Sequence, residues 1–270
     1  MTENNAARRV AACRTVSVKL SSQRSQNIWC APPENPKLDA SEVHVWRASV
    51  DQPASRIHSL RHLLAPDELE RADRFHFRRD RDNFIAARGM LRVILGRYLS
   101  ARPGQLEFRQ SAYGKPSLAL DSGGAEVRFN LSHSHNLVLY AFTLGREVGI
   151  DLEYMRRQEE MDGIAERFFS APEISALRAL PAGLRLEAFY NCWTRKEAYI
   201  KAMGEGLSFP LDHFAVSIGS REEVLLLDVF GCPQENTRWS LRQLKPGEGY
   251  AAAIAVEGSD WHLRCWEAAD

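Results

Sequence analysis

The stretch Leu184 to Met203, LRLEAFYNCWTRKEAYIKAM, constrains this chain more than any other, because it reads as one long helix with a charge set into its apolar face. Leu186, Phe189, Tyr190, Trp193 and Ile200 recur at helical spacing and define a stripe to be buried. Glu197 falls inside that stripe, four residues after Trp193 and three before Ile200, with Lys196 and Lys201 on either side. A carboxylate on an inward face is costly unless a cation or hydrogen-bond donors meet it. Two kinds of partner would serve. One is a flanking lysine in an internal ion pair; the other is a metal ion in a cleft, with the lysines turned toward an anionic substrate.

The rest of the chain predicts an α+β protein. A strand at Val43 to Trp46 precedes a helix opened by Pro66, Asp67 and Glu68 and running through Leu69, Ala72 and Phe75. A second helix spans about Asp82 to Ser100, with Phe84, Ala87, Leu91, Ile94, Leu95 and Tyr98 toward the core. Strands follow at Val127 to Ser132, Asn136 to Thr143 and Val148 to Glu153. After a short helix through Ile164 and Phe168, the Ser-x-x-Glu spacing of Ser170 and Glu173 forms a capping box for the next helix. Short strands are expected at 209–218, 223–229, 239–244, 250–255 and 261–267. The pattern suggests two comparable α/β halves, 41–147 and 148–270, with a cleft between them. Residues 1–40, polar, Arg-rich and ending in APPENPK, are expected to be a disordered extension.

Bulk properties exclude several classes. Thirty-five basic residues balance thirty-five acidic ones, so no global field favours nucleic acid or an anionic membrane. Apolar runs fall short of the ~20 residues of a membrane span. Five scattered cysteines without a CxxC pair speak against a disulfide framework or zinc site and fit a reducing cytoplasm. His133 and His135 lack a third zinc ligand at suitable spacing. Ser132, His133 and Asp151 lack the GxSxG elbow of a hydrolase.

What remains is a set of oxygen ligands and lone cations. In Val148 to Glu153 the apolar residues Val148, Ile150 and Leu152 share one strand face, so Asp151 and Glu153 share the other. Solvent or a cation must separate two such carboxylates. With Glu197 they offer three hard oxygen ligands of the kind Mg²⁺ prefers. Lys196, Lys201, Arg88, Lys115, Arg71, Arg74 and His133 could face a phosphorylated substrate.

Four motifs at this order and spacing, Tyr113-Gly114-Lys115-Pro116, Phe129-Asn130-Leu131-Ser132-His133-Ser134, Val148-Gly149-Ile150-Asp151-Leu152-Glu153 and Trp193-Thr194-Arg195-Lys196-Glu197-Ala198-Tyr199-Ile200-Lys201, resemble the Sfp-type 4'-phosphopantetheinyl transferases over about residues 43 to 255. The resemblance implies a monomer whose halves are related by a pseudo-twofold, with coenzyme A and Mg²⁺ between them. It implies that Asp151, Glu153 and Glu197 hold the metal, and that Arg88, Lys115, Ser132 and His133 contact coenzyme A. Lys201 would then approach the pyrophosphate, and Arg71 or Arg74 the 3'-phosphate. The implied activity is transfer of phosphopantetheine to a serine of an apo acyl or peptidyl carrier protein, with Glu197 as base and 3',5'-ADP released. Fatty-acid, polyketide, nonribosomal-peptide and lysine metabolism are all open as pathways. A non-catalytic coenzyme A or carrier-binding module and an acyltransferase are the competing classes.

Overall fold

The structure is a computed structural model that describes residues 28–119, 126–157, 160–204, 206, 209–219 and 224–268. The first half comprises β1 (Glu42–Ser49), α1 (Ala54–Arg61), α2 (Pro66–Asp73), α3 (Arg78–Leu99), β2 (Phe108–Gln110), β3 (Pro116–Leu118), β4 (Val127–Ser134) and β5 (Leu137–Leu144). The second comprises β6 (Val148–Tyr154), α4 (Met161–Phe168), α5 (Ala171–Ala179), α6 (Ala182–Met203), β7 (Phe214–Val216), β8 (Leu226–Val229), α7 (Glu235–Arg238), β9 (Trp239–Leu244), β10 (Tyr250–Glu257) and β11 (His262–Glu267).

Each half contributes three antiparallel strands in the same order, the opening strand pairing with the last of the three in sequence: β1-β5-β4 in the first and β6-β10-β9 in the second. Alternation along the strands gives each sheet two apolar faces. On β1 and β5 the side chains of Trp46, Ala48, Tyr140 and Phe142 pack under α3, while Val43, Val45, Leu139 and Ala141 turn the other way. The latter meet Val148, Ile150 and Leu152 of β6 with Ala252, Ile254 and Val256 of β10, so a shared core joins the two sheets. Helix α6 covers the far face of the second sheet.

Matching residues lock the long helices. Glu68, third residue of α2, accepts a bond from the Ala65 amide at 2.9 Å and from Arg92 Nε at 2.7 Å. Glu173, third residue of α5, accepts from the Ser170 amide at 2.7 Å and pairs with Lys196 Nζ at 2.9 Å. Helices α3 and α6 are both 22 residues long, and Arg92 and Lys196 each stand fifteenth in their helix. All four side chains are buried.

Several expectations need correction. Helix α3 starts at Arg78 rather than near Asp82, and α1 and the β2–β3 hairpin were not anticipated. Strand β11 does not stay with the second half: it pairs in parallel with β1 in the first sheet. Residues 28–30 are no free extension. The Cys30 amide donates to Cys265 O at 3.1 Å, Glu267 N to Cys30 O at 2.8 Å, and Trp29 Nε1 to Lys245 O at 2.9 Å. Residues 1–27 lie outside the described residues. Among the described residues no helix is long and apolar enough to cross a membrane.

Candidate active site

The site begins with a glycine. On β6 the face opposite the apolar one carries Gly149, Asp151 and Glu153, and it lies under α6 rather than in solvent. A methyl group at Gly149 would stand 2.1 Å from Ala198 O and 2.2 Å from Ala202 N. The helix backbone therefore rests directly on the strand, and Ala251, Ala253 and Ala255 of neighbouring β10 keep the floor equally shallow. This close approach brings Lys201 Nζ to 2.6 Å from Asp151 Oδ1.

The second half of α6 is buried nearly all round: Phe189, Tyr190 and Ile200 of the expected stripe are buried, while Trp193, Glu197 and Lys201, four apart, form the row that stays partly open. Among the described residues neither flanking lysine pairs with Glu197. Lys201 turns to Asp151 and to Ser132 Oγ at 3.2 Å. Lys196, one position before Glu197 and so about 100° round the helix, points into the core. Its ammonium donates to Leu211 O at 2.7 Å and Phe214 O at 2.6 Å and pairs with Glu173. The expected phosphate contact for Lys196 is thereby corrected, because the residue is wholly buried with its donors spent.

The three acids feel one another. Burial first, and then the Asp151 charge, push Glu197 up to about 7 against the opposing pull of Lys201. The same two causes in the same order raise Glu153. Asp151 is buried, and among the described residues its Oδ2 has no hydrogen-bond partner, while Oδ1 accepts from Ser132 Oγ at 2.9 Å and from Lys201. Lys201 is one cation against three acids, and the buried, orphaned Asp151 Oδ2 beside two raised carboxyls leaves the cluster short of positive charge. Among the described residues no three His, Cys, Asp or Glu side chains stand at metal-ligand spacing. The fit to a divalent cation thus lies in the donor chemistry: three hard oxygen groups, one with an unspent lone pair.

Beside the acids, a groove of about 310 Å³ is lined by Arg79, Asp80, Asn83, His133, Ser134 and His135. A hollow of about 150 Å³ continues it through Ser134 and His135 to Glu153, Tyr154 and Arg156. Partial desolvation in the groove and the Lys201 charge pull the His133 imidazole below its ordinary value. Of the cations expected here the structure gathers fewer. Arg88 is held by Glu68 and lies over the Phe108 ring at 4.5 Å. Arg71 lies over Phe84 at 5.3 Å, and Arg74 pairs at the surface with Glu70 at 3.3 Å. Lys115 joins the halves, donating to Glu147 at 2.7 Å and to Ala202 O, a carbonyl in the last turn of α6, at 2.8 Å. Burial pulls Lys115 below its ordinary value despite Glu147. Arg79, not among the cations expected here, lines the groove. Its position in the first turn of α3, and the alternation that puts Ser134 in line with Ser132, were the available signals. A cavity of about 400 Å³ between α6 and the β7–β8 hairpin, lined by Tyr199, Phe209, Phe230 and Trp239, contains none of the three acids.

Comparison with known proteins bears on both halves. Residues 147–255 match the family model described as the 4'-phosphopantetheinyl transferase superfamily, and residues 45–144 match that described as 4'-phosphopantetheinyl transferase, N-terminal. The chain is 41% identical over 241 residues to the 4'-phosphopantetheinyl transferase HetI of Nostoc sp., covering 89% of this chain and 98% of that one. It is 28% identical over 221 residues to the 4'-phosphopantetheinyl transferase Sfp of Bacillus subtilis, covering 81% and 94%. To the L-aminoadipate-semialdehyde dehydrogenase-phosphopantetheinyl transferase of Homo sapiens it is 30% identical over 214 residues, covering 73% and 68%.

Proposed function

This chain belongs to the 4'-phosphopantetheinyl transferase superfamily and is an enzyme that loads carrier proteins with phosphopantetheine, and from that premise we propose that coenzyme A supplies the group and that Asp151, Glu153 and Glu197 hold Mg²⁺ beside the bond that breaks. The observation that carries this reading is the buried Asp151 with its orphaned Oδ2, set among two carboxylates that resist ionising together. When bound, the cation neutralises the negative charge that gathers on the pyrophosphate.

The chain's own residues do the rest. Lys201, held by Asp151 and Ser132, presents its charge to the departing phosphate. Glu197, directly or through a water, takes the proton of the carrier serine hydroxyl. The serine oxygen forms a new bond to the phosphorus bearing the pantetheine arm. The bond from that phosphorus to the bridging oxygen breaks, and 3',5'-ADP leaves with the electron pair. His133 and Arg79, lining the adjacent groove, provide donors for the nucleotide phosphates. We read the two halves as related by a pseudo-twofold, supported by their equal strand orders and by the matched Glu68–Arg92 and Glu173–Lys196 pairs, and the active unit as a monomer.

Glu197→Gln tests the assignment. With coenzyme A, saturating Mg²⁺ and an apo carrier domain, the variant should lose most transfer while keeping its fold. Full transfer by Glu197→Gln would remove both its ligand and its base role.

A further inference from the structure

Strand β4 is the edge of one sheet and β6 the edge of the other, and the two lie side by side. Three side chains of β4 reach across to the β6 backbone. Asn130 Oδ1 accepts from Ile150 N at 2.9 Å, Ser132 Oγ from Leu152 N at 3.2 Å, and Ser134 Oγ from Tyr154 N at 3.0 Å. Residues two apart on each strand share a face, so three consecutive rungs align.

The rungs differ in a way that follows the acids. A hydroxyl has one proton to give besides its acceptor lone pairs, and each serine returns it to the carboxylate one residue earlier on β6. Ser132 Oγ donates to Asp151 Oδ1 at 2.9 Å, and Ser134 Oγ to Glu153 Oε2 at 3.0 Å. At the first rung the residue one earlier is Gly149, with no carboxylate to hold, and there the ladder uses an asparagine.

We propose that Ser134 is a positioning residue for Glu153: it fixes one carboxylate oxygen of Glu153 against the β4–β6 seam so that the acid enters the cation site preset. The inference rests on the reading of Glu153 as a cation ligand. Ser134 holds the acid through a hydrogen bond, so its loss should act on cation affinity. Removing a hydrogen bond that orients a metal ligand typically costs ten- to a hundredfold in metal affinity.

The test is Mn²⁺ binding, followed by electron paramagnetic resonance of the free ion in the presence of coenzyme A, on the full chain and without carrier protein. Ser134→Ala should weaken Mn²⁺ binding about tenfold, and Ser134→Thr, which keeps the hydroxyl, should bind like the native chain. If the alanine variant does not fold, the near-isosteric Ser134→Cys takes its place with the same expectation. Native affinity in Ser134→Ala, whatever its melting temperature, would make Ser134 a seam residue only and overturn the inference. A threonine variant as weak as alanine would overturn it too. Absence of Mn²⁺ binding by the native chain would instead sink the cation reading, and the inference with it, which separates the two failures.

Discussion

A single methyl group at Gly149 tests how the fold makes the site. In Gly149→Ala the new Cβ would lie 2.1 Å from Ala198 O and 2.2 Å from Ala202 N, and real Cβ atoms essentially never come closer than 3.0 Å to such neighbours. Both obstacles are helix backbone and cannot rotate away, so α6 must lift by about 1 Å. Overpacking of this kind costs about 1–3 kcal/mol, or a melting temperature lower by roughly 2–12 °C. Glu197 and Lys201 ride on the same turns as Ala198 and Ala202, so the site moves with the helix. A misplacement of about 1 Å can cost about a hundredfold in rate. Thermal melts and a time course of carrier mass measure the two effects. Gly163→Ala is the control of opposite sign: it lies within α4 with nothing within 4 Å of its Cβ, so it should be neutral or stabilise by up to about 1 kcal/mol. A Gly149→Ala enzyme that melts and turns over like the native one would refute the claim that strand-to-helix contact sets the site.

Two further expectations follow from buried groups. Lys196→Met leaves the Glu173 carboxylate buried without its cation and should cost about 3–5 kcal/mol, read by urea unfolding, with the KM for coenzyme A unchanged; native stability with a raised KM would reinstate Lys196 as a substrate contact. His44, bonded to Tyr98 at 2.7 Å and Glu42 at 3.1 Å, is held by burial below its ordinary 6.5 in spite of Glu42. The unfolded chain therefore takes up this proton first as pH falls through 6.5, so stability is full above that value and declines below it. Urea melts at about pH 7.5 and about pH 5.5 should show a smaller loss in His44→Gln than in the native chain, and parallel losses would contradict this.

Much of this was legible in the sequence where a period could be read. The alternation of Val148 to Glu153 put Asp151 and Glu153 on one face and the core on the other, and the four motifs named the family. What escaped was mostly a matter of direction. Lys196 and Glu197 adjoin in sequence, but adjacent helical residues diverge by about 100°, so one meets Glu173 in the core while the other shares the open row with Lys201. Trp193 and Glu197, expected on the buried stripe, stand instead on the partly open row with Lys201, because α6 is apolar on most sides and only packing shows which side stays open. Gly149 gave no periodic signal, since its role is the absence of a side chain beneath a helix. The docking of β11 onto β1 joins residues more than two hundred positions apart, which no local pattern records.

The most direct test of a cation held by Asp151, Glu153 and Glu197 is the mass of an apo carrier domain after incubation with this chain and coenzyme A. With Mg²⁺ the carrier should gain one phosphopantetheine group; with the metal chelated, or with Asp151→Asn in place of the native chain, its mass should stay unchanged. A carrier fully loaded after chelation would contradict the account.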